Sequence, residues 1–346
     1  MVTQTDHKTM KPIHHATSLG PDVHAWMTNS HAPRILNVFD LASNLINERG
    51  EVMSLVSQEV GNGPFNLMIS AQSSGFVFDQ VVSGSPIAIC WPQLVIGHVV
   101  IDTRRANFWN AKPNWADLFA KKELVLSDLI SHIQSLISLS HPDSLLSLLL
   151  HSALIPDHPL VSYSTRQDTS LLGTPQPITM ITGWMNTLFE AVHSIDLDSC
   201  REVAQNLAGL GQGLTPAGDD FLLGAMYAAW MIHSQEKAEL ITSTIASTAI
   251  PRTNSLSAAW IRSAARGLVN EPWLDFLEGW KIPGQPTNES SLRKLLSIGH
   301  TSGADALAGF IGCITYGKTR PDLKIIAELQ NEYKISGRTI AVPLWD

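Results

Sequence analysis

The stretch from Leu207 to Met231, LAGLGQGLTPAGDDFLLGAMYAAWM, constrains the fold most, because a glycine-rich turn with two adjacent carboxylates leads directly into an apolar segment. The residues that follow Asp220 are apolar on every side of a helical projection, which predicts a helix buried all round. Thr215 and Pro216 are typical of the residues that precede a helix, and we expect this helix to begin at Gly218 or the next residue. The sequence therefore predicts two carboxylates at the start of a core helix, beside a turn whose glycines let the backbone approach a ligand closely.

Asp219 and Asp220 have two interpretations. Acids at a helix N-terminus accept backbone amide protons and complement the helix dipole, at roughly 0.3 to 2 kcal/mol each. However, capping needs one acid and no glycine-rich turn, whereas glycine-rich loops that lead into helices commonly bind anions and metal-phosphate groups. The motif has neither the Lys-Ser/Thr ending of a P-loop nor the GxGxxG spacing of a dinucleotide fold. We favour a ligand or metal site, with capping as the alternative.

A second stretch, GHTSGADALAGFIGC from Gly299 to Cys313, repeats the order of residues in the first, with one residue fewer in the turn. The matched pairs are Thr215 with Thr301, Gly218 with Gly303, Asp220 with Asp305 and Gly224 with Gly309. This repetition predicts two similar turn–helix units that face one site.

A third motif, PRTNSLS, begins at Pro251, between the two Gly-Asp motifs. Ser255 is a candidate helix cap, and Arg252 just before it is a candidate anion ligand, because a guanidinium binds carboxylate and phosphate through two parallel hydrogen bonds. Arg262 and Arg266, four residues apart, could share one face of the following helix. Arginines are common on exposed helix faces, so Arg252 is the better candidate.

At these three motifs the chain resembles the AllH-like family, the third subunit of the allantoin-pathway oxamate carbamoyltransferase. The resemblance covers about Leu207 to Gly312 and rests on GLTPAGDDFLLG, PRTNSLS and GHTSGAD. It implies a cytoplasmic protein that acts with two other subunits in purine-nitrogen catabolism. Together such subunits interconvert oxalurate plus phosphate with oxamate plus carbamoyl phosphate.

The predicted site combines the three motifs. The glycine turn and the adjacent helix N-terminus would receive the phosphate or dicarbonyl anion, which Arg252 would orient. Bare carboxylates repel an anion, so the acids would either hold Mg²⁺ or hydrogen-bond the carbamoyl amide. The predicted catalytic residues, which are also the candidate Mg²⁺ ligands, are Asp219, Asp220 and Asp305. The predicted substrate-binding residues are Gly211, Gly213, Thr215, Gly218, Arg252, Thr253, Asn254, Ser255, His300, Thr301, Ser302 and Gly303.

Two other functions fit the same residues. Clustered aspartates at helix starts also suit a stand-alone magnesium-dependent hydrolase or phosphotransferase, in which the metal activates water. A non-catalytic scaffold subunit with a vestigial site is the second alternative.

The composition restricts the classes of molecule that the chain is expected to bind. A net charge of −8 argues against a nucleic-acid or anionic-membrane partner, since no basic surplus exists to replace phosphate counterions. No uninterrupted apolar run approaches the ~20 residues needed to cross a bilayer. The cysteines Cys90, Cys200 and Cys313 lie far apart, which indicates a reducing compartment and agrees with the cytoplasm.

The expected architecture is α+β. Residues 1–30 are polar and lack a regular apolar period, so they are predicted to be a flexible tail. Residues 31–115 contain short β-rich segments separated by Gly, Ser and Pro, which predict five or six strands in a mainly antiparallel sheet or barrel. Residues 116–346 are predicted to form a larger, mainly helical domain that carries the three motifs.

Overall fold

The computed structural model describes residues 13–70, 77–123, 139–153, 178–279 and 289–316. The fold is α+β, as predicted, with a nearly closed β-barrel followed by a helical region. The chain divides into two compact units. The first consists of the chain up to Lys112 together with Leu268–Glu271, and the second of Pro113–Gly267 and the chain from Pro272 onward.

The first unit is built on a nine-stranded sheet with the order β2-β3-β4-β5-β1-β8-β7-β6, in which β9 also pairs with β1. Its strands are β1 Ile13–Leu19, β2 Arg34–Val38, β3 Ala42–Ile46, β4 Val52–Val56, β5 Asn66–Ile69, β6 Ile87–Cys90, β7 Gln93–Ile96, β8 Val99–Asp102 and β9 Asn107–Phe108. Most pairs are antiparallel, but β1 pairs in parallel with β8 and β9, and β4 pairs in parallel with β5. The sheet is therefore mixed and has more strands than the five or six expected.

The core of this unit is formed by alternate residues of its strands, since successive side chains of a strand point to opposite faces. Leu45, Met53, Leu55 and Leu67 lie on one face and belong to a single buried cluster with side chains of the helix α1, Val23–Asn29. Val52, Ser54 and Val56 alternate with them on β4 and are also buried. Both faces of this strand are thus shielded from water.

The prediction of a flexible tail over residues 1–30 is wrong for residues 13–29, which form β1 and α1. β1 is an interior strand that pairs with β5, β8 and β9. The polar residues His14 and Ser18 are buried on either side of Ala16, so the period of two is present but is carried partly by polar side chains. An apolar pattern could not reveal this strand.

The second unit is helical over its described residues. Its helices are α2 Trp115–Ala120, α3 Leu145–Ala153, α4 Ile178–Ser194, α5 Leu197–Leu207, α6 Ala217–Ile232, α7 Gln235–Ala249, α8 Ser255–Ala264, α9 Glu271–Glu278, α10 Glu289–Leu296 and α11 Ser302–Thr315. A short 3-10 helix, Ile250–Arg252, links α7 to α8. None of the helices in the described ranges is long and apolar enough to span a membrane.

Helices α6 and α11 cross in the centre of this unit. Every residue of α6 from Ala217 to Met231 is buried, which confirms the predicted all-round burial, and the helix begins one residue earlier than expected. A Cβ atom added to Gly224 would lie 1.7 Å from the carbonyl oxygen of Ala306, and one added to Gly309 would lie 2.0 Å from that of Phe221. The two backbones are therefore in direct contact, and only glycine fits at the crossing.

Candidate functional site

The three sequence motifs meet in the structure. The hydroxyl groups of Thr215 and Ser302 are 2.8 Å apart and share a hydrogen bond, which joins the two Gly-Asp motifs. The PRTNS segment joins the first motif through two contacts: Asn254 Nδ2 donates to the carbonyl oxygen of Leu214 at 2.9 Å, and Thr253 Oγ1 donates to Asp219. Residues far apart in the chain thus form one cluster.

The glycine-rich turn has a backbone that favours glycine. Gly209, Gly211 and Gly213 have φ angles of 75°, 114° and 108°, in the left-handed region that side chains other than glycine rarely adopt. Most of the segment from Gly209 to Leu214 is exposed or half-buried. The turn therefore presents its backbone at the surface in a fixed, unusual conformation.

Asp219 holds this turn in place. Its side chain is 2% exposed, and its Oδ1 accepts the backbone N–H of Gly209 at 2.8 Å while its Oδ2 accepts the hydroxyl of Thr253. Burial raises the pKa of Asp219, and the two hydrogen bonds oppose that rise. The N-cap residue Pro216 makes no side-chain cap. Asp219 therefore bonds to the turn and the PRTNS segment, a different role from simple capping of α6.

Asp220 and Asp305 are buried and electrostatically coupled. They are 7% and 0% exposed, respectively. Burial raises the pKa of Asp220 well above its usual value, the charge of Asp305 adds to the rise, and the hydroxyls of Ser302 and Thr215 oppose it. Burial likewise raises the pKa of Asp305 to about 6, against the effect of hydrogen bonds from the Leu145 amide and the Thr301 side chain.

Each of these two carboxylates has one uncommitted oxygen. Asp305 Oδ1 accepts the Leu145 amide, the first of helix α3, at 2.6 Å. By contrast, Asp220 Oδ2 and Asp305 Oδ2 are buried and have no hydrogen-bond partner. A buried polar atom without a hydrogen-bond partner destabilises the folded state by about 1–3 kcal/mol. We therefore expect these two oxygens to take up a proton or to bind a ligand.

The donor set fits Mg²⁺ poorly. Both oxygens of Asp219 are committed, and the ion takes six oxygen ligands in octahedral geometry. Within the described ranges, no group of three or more His, Cys, Asp or Glu side chains could hold a metal ion. Mg²⁺ therefore stays a prediction.

Two predicted substrate-binding glycines are buried packing positions. A Cβ atom on Gly218 would lie 2.0 Å from the carbonyl oxygen of Leu207, and one on Gly303 would lie 1.9 Å from that of Leu295. In the turns that precede them, the Gly218 amide bonds to the Leu210 carbonyl and the Gly303 amide to the Ile298 carbonyl. The repeated sequence thus corresponds to two similar turn–helix units. Both glycines are buried, so neither faces solvent.

The PRTNS segment differs from the prediction in its cap. Asn254 Oδ1, and not Ser255, caps α8 by accepting the amides of Leu256 and Ser257 at 3.0 and 3.1 Å. The side chain of asparagine reaches the same amides as serine, so the sequence alone did not distinguish them. Arg252 is exposed, and one of its guanidinium nitrogens donates to the Thr248 carbonyl at 2.9 Å.

His141 is not among the residues that the sequence predicted for the site. Its ring centroid lies 4.1 Å from that of His300, a predicted substrate-binding residue, and its Nδ1 accepts the Asp143 amide at 3.2 Å. The Asp305–Leu145 hydrogen bond ties this part of the chain to the second Gly-Asp motif. No local pattern links His141 to residues so distant in sequence.

Comparison with known proteins supports the resemblance stated above. The model of the family described as oxamate carbamoyltransferase subunit AllH matches residues 207–314. The resemblance to an AllH-like family is thereby confirmed over the segment that carries all three motifs. No solved structure matches the chain.

Proposed function

We propose that this chain is a subunit of an oxamate carbamoyltransferase that interconverts oxalurate plus phosphate with oxamate plus carbamoyl phosphate. In this proposal the surface formed by the three motifs binds the anionic substrate. One observation carries it: the segment that matches the family contains the three motifs, and direct hydrogen bonds join them into one cluster.

The exposed part of this cluster has groups suited to an anion. Arg252 and Asn254 are exposed beside the glycine turn, and the guanidinium keeps donors beyond the one bonded to Thr248. Oxalurate, oxamate, phosphate and carbamoyl phosphate are all anions, which arginine binds through paired hydrogen bonds. The turn contributes a backbone whose φ angles are set by glycine.

The burial of the acids reduces the expected repulsion of an anion. Asp219, Asp220 and Asp305 are at most 7% exposed, and burial raises the pKa of each. A carboxyl group whose pKa is raised carries less negative charge at a given pH. Because the three carboxyl groups are buried, an anion at the surface of the cluster is shielded from them.

The aspartates have different proposed roles. Asp219 is a positioning residue, because both of its oxygens hold protein groups. The open oxygens of Asp220 and Asp305 are the groups available to hydrogen-bond a carbamoyl amide. Both oxygens are buried, so contact with substrate requires a rearrangement of the turn. A cytoplasmic location and two partner subunits belong to the same proposal.

The experiment is an assay of oxalurate phosphorolysis by the purified chain, with and without its partner subunits. We expect the chain alone to be inactive and the complex to turn over. A chain that turns over alone would indicate a stand-alone hydrolase or phosphotransferase, and a complex that keeps full activity with substituted motifs would indicate a scaffold.

The variant Arg252→Ala tests the proposed substrate site in the same assay. Loss of a charged hydrogen bond to the anion should lower kcat/KM of the complex by roughly tenfold or more. The matched control is Arg262→Ala, an exposed arginine on α8 that should stay within about twofold. If both substitutions change kcat/KM equally, Arg252 does not bind the substrate.

A further inference from the structure

The first unit contains a row of four polar residues that crosses four strands. Asn37 pairs with Asn44, Asn44 with Ser54, and Ser54 with Asn66, so the row runs through β2, β3, β4 and β5 at one register. Residues paired in this way share a face of the sheet. Asn44, Ser54 and Asn66 are only 4–5% exposed.

The surroundings of this polar row do not explain its polarity. Its neighbours on the same face include Ile46, Val52 and Val56, all buried and apolar. The opposite face carries the core residues of the barrel, such as Leu45 and Met53. A polar row therefore interrupts an apolar face, where each polar group costs free energy unless it is hydrogen-bonded.

The hydrogen bonds of the row leave acceptors open. The Ser54 hydroxyl donates to Asn44 Oδ1, and Asn44 Nδ2 donates to Asn37 Oδ1 at 2.6 Å. Asn66 Nδ2 donates to the Gly61 carbonyl at 3.1 Å, whereas Asn66 Oδ1 is buried and has no partner. The Ser54 oxygen keeps lone pairs after donating its proton. Two acceptors thus lie on paired residues of adjacent strands.

The loop that follows β4 fixes the Asn66 amide. A Cβ atom on Gly63 would lie 2.7 Å from Asn66 Nδ2, so the loop backbone passes directly against this side chain. Glu271 holds the loop by accepting the backbone N–H and the side-chain amide of Asn62 at 2.8 and 2.9 Å. Asn66 is therefore preorganised, with its free acceptor held in a set direction.

We infer that the polar row is a binding site for the uncharged amide or ureido end of a small molecule. The open acceptors require N–H donors, which amide and ureido groups supply in pairs. The row contains no charged side chain, so a buried ammonium group would lack a counter-charge and an anion would face acceptors. This inference concerns the barrel and does not depend on the proposed activity.

The test is an NMR titration of the full chain with acetamide, observed through ¹⁵N-labelled asparagine side chains. Acetamide should shift the Asn44 and Asn66 side-chain amide signals saturably, whereas acetone, which lacks N–H donors, should not. The wild-type chain alone thus tests the inference. No saturable shift, or equal shifts with acetone, would show that the row is sealed or satisfied by water and would overturn it.

Substitutions locate the site. Ser54→Ala removes one acceptor and should weaken acetamide binding by roughly tenfold, the scale of one hydrogen bond. The control is Ser43→Ala, which removes a buried hydroxyl on the core-facing side of β3 and should leave the affinity unchanged. If Ser54→Ala binds acetamide as tightly as the wild type, the row is not the site.

Discussion

The two turn–helix units of the helical region share the residues of their helix crossing and differ in the contacts of their turns. In the first, Gly224 meets the backbone of Ala306 and Phe310, and in the second, Gly309 meets that of Phe221 and Ala225. These contacts are reciprocal around the crossing of α6 and α11. The buried glycines and the aspartates Asp220 and Asp305 occupy matched positions in the two units.

The turns and their contacts differ in two respects. The first turn contains three glycines with positive φ and is fixed by Asp219, whereas the matched position of the second unit is Ala304. The second unit instead uses Asp305 to hold the first amide of α3. The comparison indicates that the shared glycines serve packing, whereas ligand binding by the residues peculiar to the first turn is part of the proposal.

The largest effect should come from the shared packing. Gly224→Ala would place a Cβ atom 1.7 Å from a backbone oxygen, so the helices must separate, at a cost of about 3 kcal/mol or more in the free energy of unfolding. The control is Gly183→Ala in α4, where no atom lies within 4 Å and a gain of about 0.5–1 kcal/mol is expected. Denaturant unfolding measures both. If the two variants are equally stable, the two helix backbones are not in direct contact at Gly224.

The second effect concerns the matched aspartates and depends on pH. The pKa of Asp305 is raised from 3.8 to about 6 on folding, so its contribution to stability is complete below pH 3.8 and is lost as the pH rises through 6. A shift of about two units corresponds to roughly 3 kcal/mol. Asp305→Asn should remove this dependence and keep the acceptor for the Leu145 amide. If the free energies of unfolding of the wild type and of Asp305→Asn change in parallel from pH 4 to 7, the assignment is wrong.

The smallest effect on stability should come from the contact between Asp219 and Thr253. Thr253→Val removes the hydroxyl that Asp219 accepts, and a buried carboxylate oxygen without its donor costs about 1–3 kcal/mol. Thr244→Val is the control, because that exposed hydroxyl bonds only within its own helix, to Leu240. It should change stability by less than about 0.5 kcal/mol. Equal losses in thermal or denaturant unfolding would show that Asp219 does not depend on Thr253.

Local patterns predicted the parts of the fold that repeat a simple period. The apolar run after Asp220 predicted the buried helix α6, and the β-rich segments predicted the barrel. Strand β1 was not predicted, because its buried positions include His14 and Ser18, which do not contribute to an apolar period. A buried strand of mixed polarity is recognisable only from its partners in the sheet.

The candidate site was predictable in its motifs but not in its contacts. The repeated glycines and aspartates marked both turns, because backbone contact admits only glycine and the repetition is visible in the sequence. Asp219 and His141 contact Thr253 and His300, respectively, which lie far away along the chain. Such contacts follow from how the helices pack, and no spacing within one segment encodes them.

The most direct test of the account is whether the two Gly-Asp motifs meet. Thr215 Oγ1 and Ser302 Oγ are 2.8 Å apart, which is compatible with the Cβ separation that a disulfide requires, about 3.5–4.5 Å. A Thr215→Cys, Ser302→Cys variant, with the exposed Cys90 replaced by Ser, should form this intramolecular cross-link on mild oxidation, detected by mass spectrometry of proteolytic peptides. Two reduced cysteines, or only intermolecular disulfides, would contradict a common site.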